Sequence, residues 1–355
     1  MGLLSIFICC SFYSPVAAAA ETVVENELTI DQAVEMALKN SVALKQADYN
    51  VERSYEALEQ AERQANLILA PGPQPSSVWA IATNAHVKYV QWRISEKTKD
   101  ITRDQLVLSV IQNYIKVLQG TQKLQNAQKA LDYALLLKEQ EELKYQLGLT
   151  SSFALSKVKA SCQAAQAAYE TTNLELDKTW RDFNYILGRK SEERMVLTDR
   201  PEFLPLDFSD LNARVQSTIA NSPAMWITEQ NLKITEMSLS MDSTLPYTIK
   251  EIDRSKAELS TNETRDQLEK TLFKLAKTIK QLEENYAVSL ESFKNSKENL
   301  RIKNMMYELG MATLSDVLAA EVELANSEKN LQDIIYQHEI SRLIFEKPWA
   351  SSLST

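Results

Sequence analysis

The chain has 355 residues, a formal net charge of −9 and a pI near 5.1. Phosphate binding needs clustered Lys and Arg, and no basic block stands out, which counts against nucleic acid as a partner. After residue 20 no apolar run approaches the roughly 20 residues of a membrane-spanning helix, so any crossing of a membrane falls to β-strands.

The chain opens on a segment, Gly2 to Val16, that is mostly apolar and uncharged, followed by Ala17 to Ala20 before Glu21. Small residues after an apolar stretch mark a cleavage site, so residues 1–20 read as a signal peptide, although no Lys or Arg precedes the run. Removing it takes away Cys9 and Cys10 and leaves Cys162 alone. An exported chain with one cysteine forms no internal disulfide and is stabilised by packing.

Leu28 to Ala43 begins with a helix-start signal, Thr29 ahead of Asp31 and Gln32, followed by apolar Ala33, Val34, Ala37 and Leu38. From about Leu67 to Ile94 the apolar pattern fits either strand or helix period; two strands fit there, with Trp79, Tyr89 and Trp92 as interface aromatics. No proline occurs between Pro75 and Pro201, and Val110, Tyr114, Val117, Leu124, Leu131 and Leu135 keep coiled-coil spacing. A rising helix over about residues 100–145 would be roughly 70 Å long at about 1.5 Å per residue. Gly148 interrupts it, and Cys162, Ala165, Tyr169, Leu176, Trp180, Phe183 and Leu187 resume the rhythm. Two such helices across a short glycine turn predict an antiparallel hairpin.

The arrangement then recurs. Tyr145-Gln-Leu-Gly148 is echoed by Tyr307-Glu-Leu-Gly310, and at the same offset Leu155 meets Val317, Cys162 meets Leu324, Tyr169 meets Leu331 and Phe183 meets Phe345. Leu28 to Ala43 is matched by Leu211 to Ala224, each with an Asn-Ser pair, Asn40-Ser41 and Asn221-Ser222. Residues 21–187 and 208–355 therefore read as tandem repeats, with a polar crossover over 188–207. The fold class expected is mainly α, two tandem long helical hairpins, with at most a short β-barrel portion.

An Asn-Ser helix near the start of each half, followed by Tyr-x-x-Gly and a long helix, resembles the TolC-like outer-membrane efflux family. The most specific piece is Tyr307-Glu-Leu-Gly310-Met-Ala-Thr-Leu-Ser-Asp316-Val-Leu. The resemblance implies a homotrimer whose hairpins form a helical barrel, mostly periplasmic and ending in an outer-membrane β-barrel. It also implies a passive export conduit fed by an inner-membrane transporter through a periplasmic adaptor. Tyr145, Gly148, Tyr307, Gly310 and Asp316 match the tip and entrance positions, whereas Ala319 and Ala154 stand where acidic residues are common. Four strands per subunit are expected of the family, yet in the second half only Ser243 to about Leu259 is free, too short for two membrane strands of roughly 9 to 11 residues each. One hairpin per subunit would give a trimer six strands, fewer than the eight of the smallest membrane barrels. The barrel is therefore expected to be shortened or absent. The alternative is an exported coiled-coil structural or adaptor protein of the envelope without pore activity.

At the tips, Gly148 and Gly310 read as helix C-caps, and Tyr145 and Tyr307 as packing aromatics or entrance residues. Asp316 reads either as a charge favoured by the helix dipole or as one member of a three-copy acidic ring at an entrance. No enzyme, cofactor or metal site is expected: His86 and His338 are the only histidines and lie in no ligand spacing. Glu141-Glu142 and Glu283-Glu284 read as solvated helix faces, and Cys162 as a small buried residue.

Overall fold

A computed structural model describes residues 27–68, 76–241 and 245–351. The expected leader, residues 1–20, lies outside them. The first half contains β1 (Glu27–Leu28), α1 (Ile30–Asn40), α2 (Val42–Ile68), α3 (Ser76–Gln146) and α4 (Ser152–Leu187). After β2 (Val196–Leu197) the second half contains α5 (Leu211–Ala220), α6 (Pro223–Met241), α7 (Tyr247–Glu308) and α8 (Leu314–Glu346), then a 3₁₀ turn at Pro348–Ala350. The fold is mainly α and is built as two long hairpins, α3/α4 and α7/α8.

The helix starts follow the expected chemistry. Thr29 caps α1 in a capping box with Gln32, and Asp210 accepts the Ala213 N–H at the start of α5. With 71 residues, α3 is roughly 105 Å long, far longer than the 100–145 arm expected. The difference lies at its upper end. Residues 76–94, where strands were considered, are helical: Tyr55 of α2 meets Trp92 edge-on at 5.6 Å, Asp48 pairs with Lys99 at 2.5 Å, and Val90 is buried. Tyr89 and Trp92 are thus helix residues that face one another, with Trp92 also against Tyr55 of α2, and not interface aromatics on strands; the side chain of Trp79 lies outside the described residues. The cause is a partner helix, since α2 buries one side of this segment at helical spacing and i,i+3 pairs such as Arg93 with Glu96 line the other. Residues 247–259 are likewise helical.

Among the described residues β1 and β2 are the only strands, and they pair in parallel, Glu27 with Val196 and Leu28 with Leu197. Between α2 and α3 residues 69–75 remain, and between α6 and α7 residues 242–246. Each interval is shorter than a membrane strand, which takes roughly 9 to 11 residues. Among the described residues no helix is long and apolar enough to cross a membrane.

The helices lie side by side as an open layer. Below the middle of the body the order is α4, α3, α8, α7; above it the order is α2, α3, α6, α7. Polar side chains lace α3 antiparallel to α8: Asn126 Nδ2 donates to the Ala325 carbonyl at 2.7 Å, Gln119 to Asp333 at 2.8 Å, and Asp104 accepts from Lys347 and from the Trp349 indole, both at 2.7 Å. Hydrophobic burial is concentrated around the middle. Val110, Tyr114, Val117, Phe183 and Leu187 enclose Ala33 and Ala37 of α1, and Leu272, Ala276, Ile279 and Phe345 enclose Val215 and Ile219 of α5. The two clusters are equivalents under the repeat, and each fully buried Phe contributes on the order of 1.5–3 kcal/mol. Toward the tips the seam thins: Cys162 and Ala134 are buried, but Leu135 of α3 is exposed, because there α3 has only α4 and α8 beside it.

The halves hold the crossover differently. In the first, the Tyr114 hydroxyl donates to the Leu28 carbonyl at 2.9 Å and accepts the Asp199 N–H at 3.0 Å, while Asp199 accepts the Ile30 N–H at 2.8 Å. The repeat equivalent of Tyr114 is Ala276, so no such bridge forms in the second half. There Glu283 accepts the Leu206 N–H at 2.8 Å and lies 3.3 Å from buried His338 Nε2, and Phe203 stacks on Tyr286 with centroids 3.7 Å apart. Glu283 is therefore a strap anchor and not the solvated carboxylate its helical context suggested.

Burial pushes the Tyr114 phenol up to about 12. Its neutral form is favoured by folding, so that stability is complete below the ordinary phenol value near 10 and is lost as pH rises through about 12. Tyr114→Phe leaves two backbone groups without their partner and is expected to cost about 1–3 kcal/mol in urea denaturation at pH 7. The variant should also lose less of its stability than the parent between pH 10 and 12.

Candidate functional site: the paired hairpin tips

The antiparallel lacing of α3 with α8 places the α3/α4 and α7/α8 turns at the same end of the body. Each turn is built the same way. Gly148 and Gly310 both have φ of 71°, a left-handed conformation that side chains resist. After each, one amide reaches back: Leu149 N–H to the Lys144 carbonyl at 2.8 Å and Met311 N–H to the Met306 carbonyl at 2.7 Å. Gly148 N–H and Gly310 N–H bond the carbonyls of Tyr145 and Tyr307. These bonds satisfy the orphan carbonyls at the ends of α3 and α7 and fix each turn as a Schellman-type stop.

The next helix begins shortly after the glycine in both turns. Ser151 accepts the Ala154 N–H at 3.1 Å, and Thr313 accepts the Asp316 N–H at 3.2 Å. Only the second turn closes a box, because the Asp316 carboxylate accepts from the Thr313 N–H at 2.9 Å and from its hydroxyl at 2.7 Å. Those donors hold the Asp316 carboxyl below the usual carboxylate range. The first turn has Ala154 in that place and compensates from the other side: Glu141 accepts the Thr150 hydroxyl, which lowers its carboxyl, with Lys144 assisting. Glu141, expected to be a solvated face, is thus a turn brace, and Glu142 pairs across the hairpin with Lys159 at 3.0 Å.

Tyr145 and Tyr307 are half-exposed near the ends of α3 and α7, and their backbone carbonyls, not their rings, make the turn bonds. The surface around them is apolar. Leu147, Leu149 and Phe153 at the first tip and Leu309, Met311 and Leu314 at the second are exposed, Phe153 by 79% and Leu309 by 70%. Sequence reasoning passed over these residues because it weighed only the tyrosines, the turn glycines and the acidic position of the tips. The available signal was Leu or Met flanking both glycines, where a solvated turn would carry polar residues. Among the described residues no group of His, Cys, Asp and Glu is placed to hold a metal ion.

The layer of long hairpins with paired glycine tips has the fold of TolC-like α-helical barrel channels. Solved structures that share it include the CmeC outer membrane channel of Campylobacter jejuni, at 15% identity over 92% of this chain and 87% of that one, with a TM-score of 0.66. The outer membrane protein VceC of Vibrio cholerae gives 14% identity over 90% and 95%, TM-score 0.64, and the MtrE outer membrane channel of Neisseria gonorrhoeae 14% over 91% and 89%, TM-score 0.64. At such identities the likeness is one of fold. No family model and no curated protein matches the sequence.

Two variants separate the parts of the second tip. Gly310→Ala, forced to hold a positive φ, is expected to lose about 1 kcal/mol in thermal or urea unfolding. Asp316→Ala is expected to lower the melting temperature at pH 7. Because folding depresses the Asp316 carboxyl, its contribution is present above about pH 4 and disappears as pH falls through the folded value. The gap in melting temperature between parent and variant should therefore close in acid.

Proposed function

We propose that the chain is one subunit of a homotrimeric, passive export conduit of the efflux type, most of it periplasmic, working at the outer membrane. The observation that carries this reading is the pair of bare edges on the helical layer. One edge is lined by α4 and α2, the other by α7 along its whole length. Unlike edges on one protomer make a head-to-tail contact, and head-to-tail contacts close into rings when the rotation permits. Exposed apolar side chains lie on both, Leu174 and Tyr185 on α4 and Val288 on α7. A ring of such layers encloses a tunnel with the Gly148 and Gly310 turns at one mouth. The apolar tips support docking of a periplasmic adaptor there, with an inner-membrane transporter driving substrate, since exposed apolar patches mark interaction sites. Three copies of Asp316 near the mouth would favour cations. No chemistry is assigned to the chain; transport would proceed by widening of the mouth.

One observation favours a second reading. Residues 76–94 and 247–259 are helical, and the intervals 69–75 and 242–246 hold fewer residues than the roughly 9 to 11 of a membrane strand, which suits a periplasmic spacer or adaptor body without pore activity. Light scattering of purified protein and conductance in planar bilayers distinguish the two. A trimeric mass with discrete conductance steps, whose cation preference falls in Asp316→Ala, supports the conduit. A folded trimer without conductance that is released from the envelope in aqueous buffer supports the spacer, and a monomer sinks the proposed ring.

A further inference from the structure

We infer that the seam between the two halves holds a binding site for one small oxyanion, a phosphate or carboxylate group, clasped by Arg200 of the crossover and the Tyr336 hydroxyl of α8. Where α3 and α8 run side by side beneath the crossover they leave a cavity of about 40 Å³, lined chiefly by polar side chains, among them Gln119, Arg200, Lys329, Gln332, Asp333 and Tyr336. A single water takes about 10–15 Å³ of such space, so there is room for about three water-sized atoms, the size of a small oxyanion head group.

Hydrogen-bond accounting gives the cavity its sign. Both oxygens of Asp333 are engaged, one by Gln119 Nε2 at 2.8 Å and the other by Lys329 Nζ at 2.6 Å, so that carboxylate is already paired. Arg200, exposed at the mouth, makes no hydrogen bond or ion pair among the described residues. Tyr336 is only 4% exposed, and its hydroxyl likewise has no partner among the described residues, although buried polar groups are normally hydrogen-bonded. Burial holds the Tyr336 phenol above its usual range, with Arg200 near enough to pull against that rise, so the group is an O–H donor at neutral pH. Two cations against one paired carboxylate leave a positive charge, and the groups still free to bond, the guanidinium and the hydroxyl, both donate. An anion with several oxygens is the ligand this chemistry selects. Water would meet the hydroxyl without answering the charge.

The set belongs to the joint between the halves. The first-repeat counterparts of Lys329, Asp333 and Tyr336 are Ala167, Thr171 and Leu174, which carry neither the charges nor the phenol. An oxyanion held by Arg200 and Tyr336 ties the crossover to α8 beside α3, and stabilises that joint by mass action.

Calorimetric titration of the purified full chain at low salt, with inorganic phosphate and separately with acetate, tests the site. Saturable binding of either probe is expected, and the tighter of the two identifies the head group. Arg200→Gln should weaken it by at least about tenfold, the loss of a charge-assisted hydrogen bond, and Tyr336→Phe, which removes one oxygen, by about two- to tenfold. Both variants should keep the helical circular dichroism of the parent, since Arg200 is exposed and a phenyl ring preserves the packing of Tyr336. No saturable binding of either probe by the parent up to tens of millimolar, or binding that both variants leave unchanged, overturns the site and leaves water as its occupant.

Discussion

Everything in this body is held against α3. It packs on α2 and α6 above, on α4 and α8 below, and on α1 and the C-terminal turn at the middle. A helix of 71 residues can serve as such a spine only if nothing interrupts its hydrogen bonds, and between Ser76 and Gln146 there is no proline and a single glycine, Gly120. That glycine has a packing reason: a Cβ there would lie 2.9 Å from Leu176 Cδ1, so its absence lets α4 approach closely. The spine also sets where the core sits, because at its middle α1 and the C-terminal turn are added to the neighbours of α3.

The constraint that gives strength to the middle leaves the ends thin. Four helices abreast bury a two-sided seam and expose the rest, which is the geometry of a wall and not of a globule. Polar laces between α3 and α8, with Asn126 buried among them, fix the register of the two halves. The tips then depend on local chemistry: glycines at positive φ, capping hydroxyls, and one carboxylate brace at each turn. Asp316 and Glu141 do equivalent work from opposite sides of otherwise equivalent turns, a divergence between repeats that keeps the geometry.

The same divergence appears at the crossover. Tyr114 bridges the strand pair in the first half; Glu283, His338 and Phe203 clamp the chain in the second. Both devices bind the linking segment to its long hairpin through a buried polar group: the Tyr114 hydroxyl is hydrogen-bonded on both sides, whereas His338 has a partner at Nε2 and, among the described residues, none at Nδ1. His338 stands where the first repeat has Leu176, so the second repeat carries a polar anchor at a position that is apolar in the first.

By itself the sequence determined the long hairpins, the two turns and the repeat, because scarce glycine and proline, a regular apolar period and an echo of one half in the other are local or self-referential signals. It also determined Thr29 as a cap and Gly148 and Gly310 as helix stops, whose causes lie within a few residues. Only the tertiary structure decided that residues 76–94 are helix, since their pattern suits both periods and the choice was made by α2 packing against them. Partners distant in sequence likewise decided Glu283, through Leu206 and His338. A carboxylate is a brace or a solvated face according to what folds onto it, and that is a property of the three-dimensional neighbourhood.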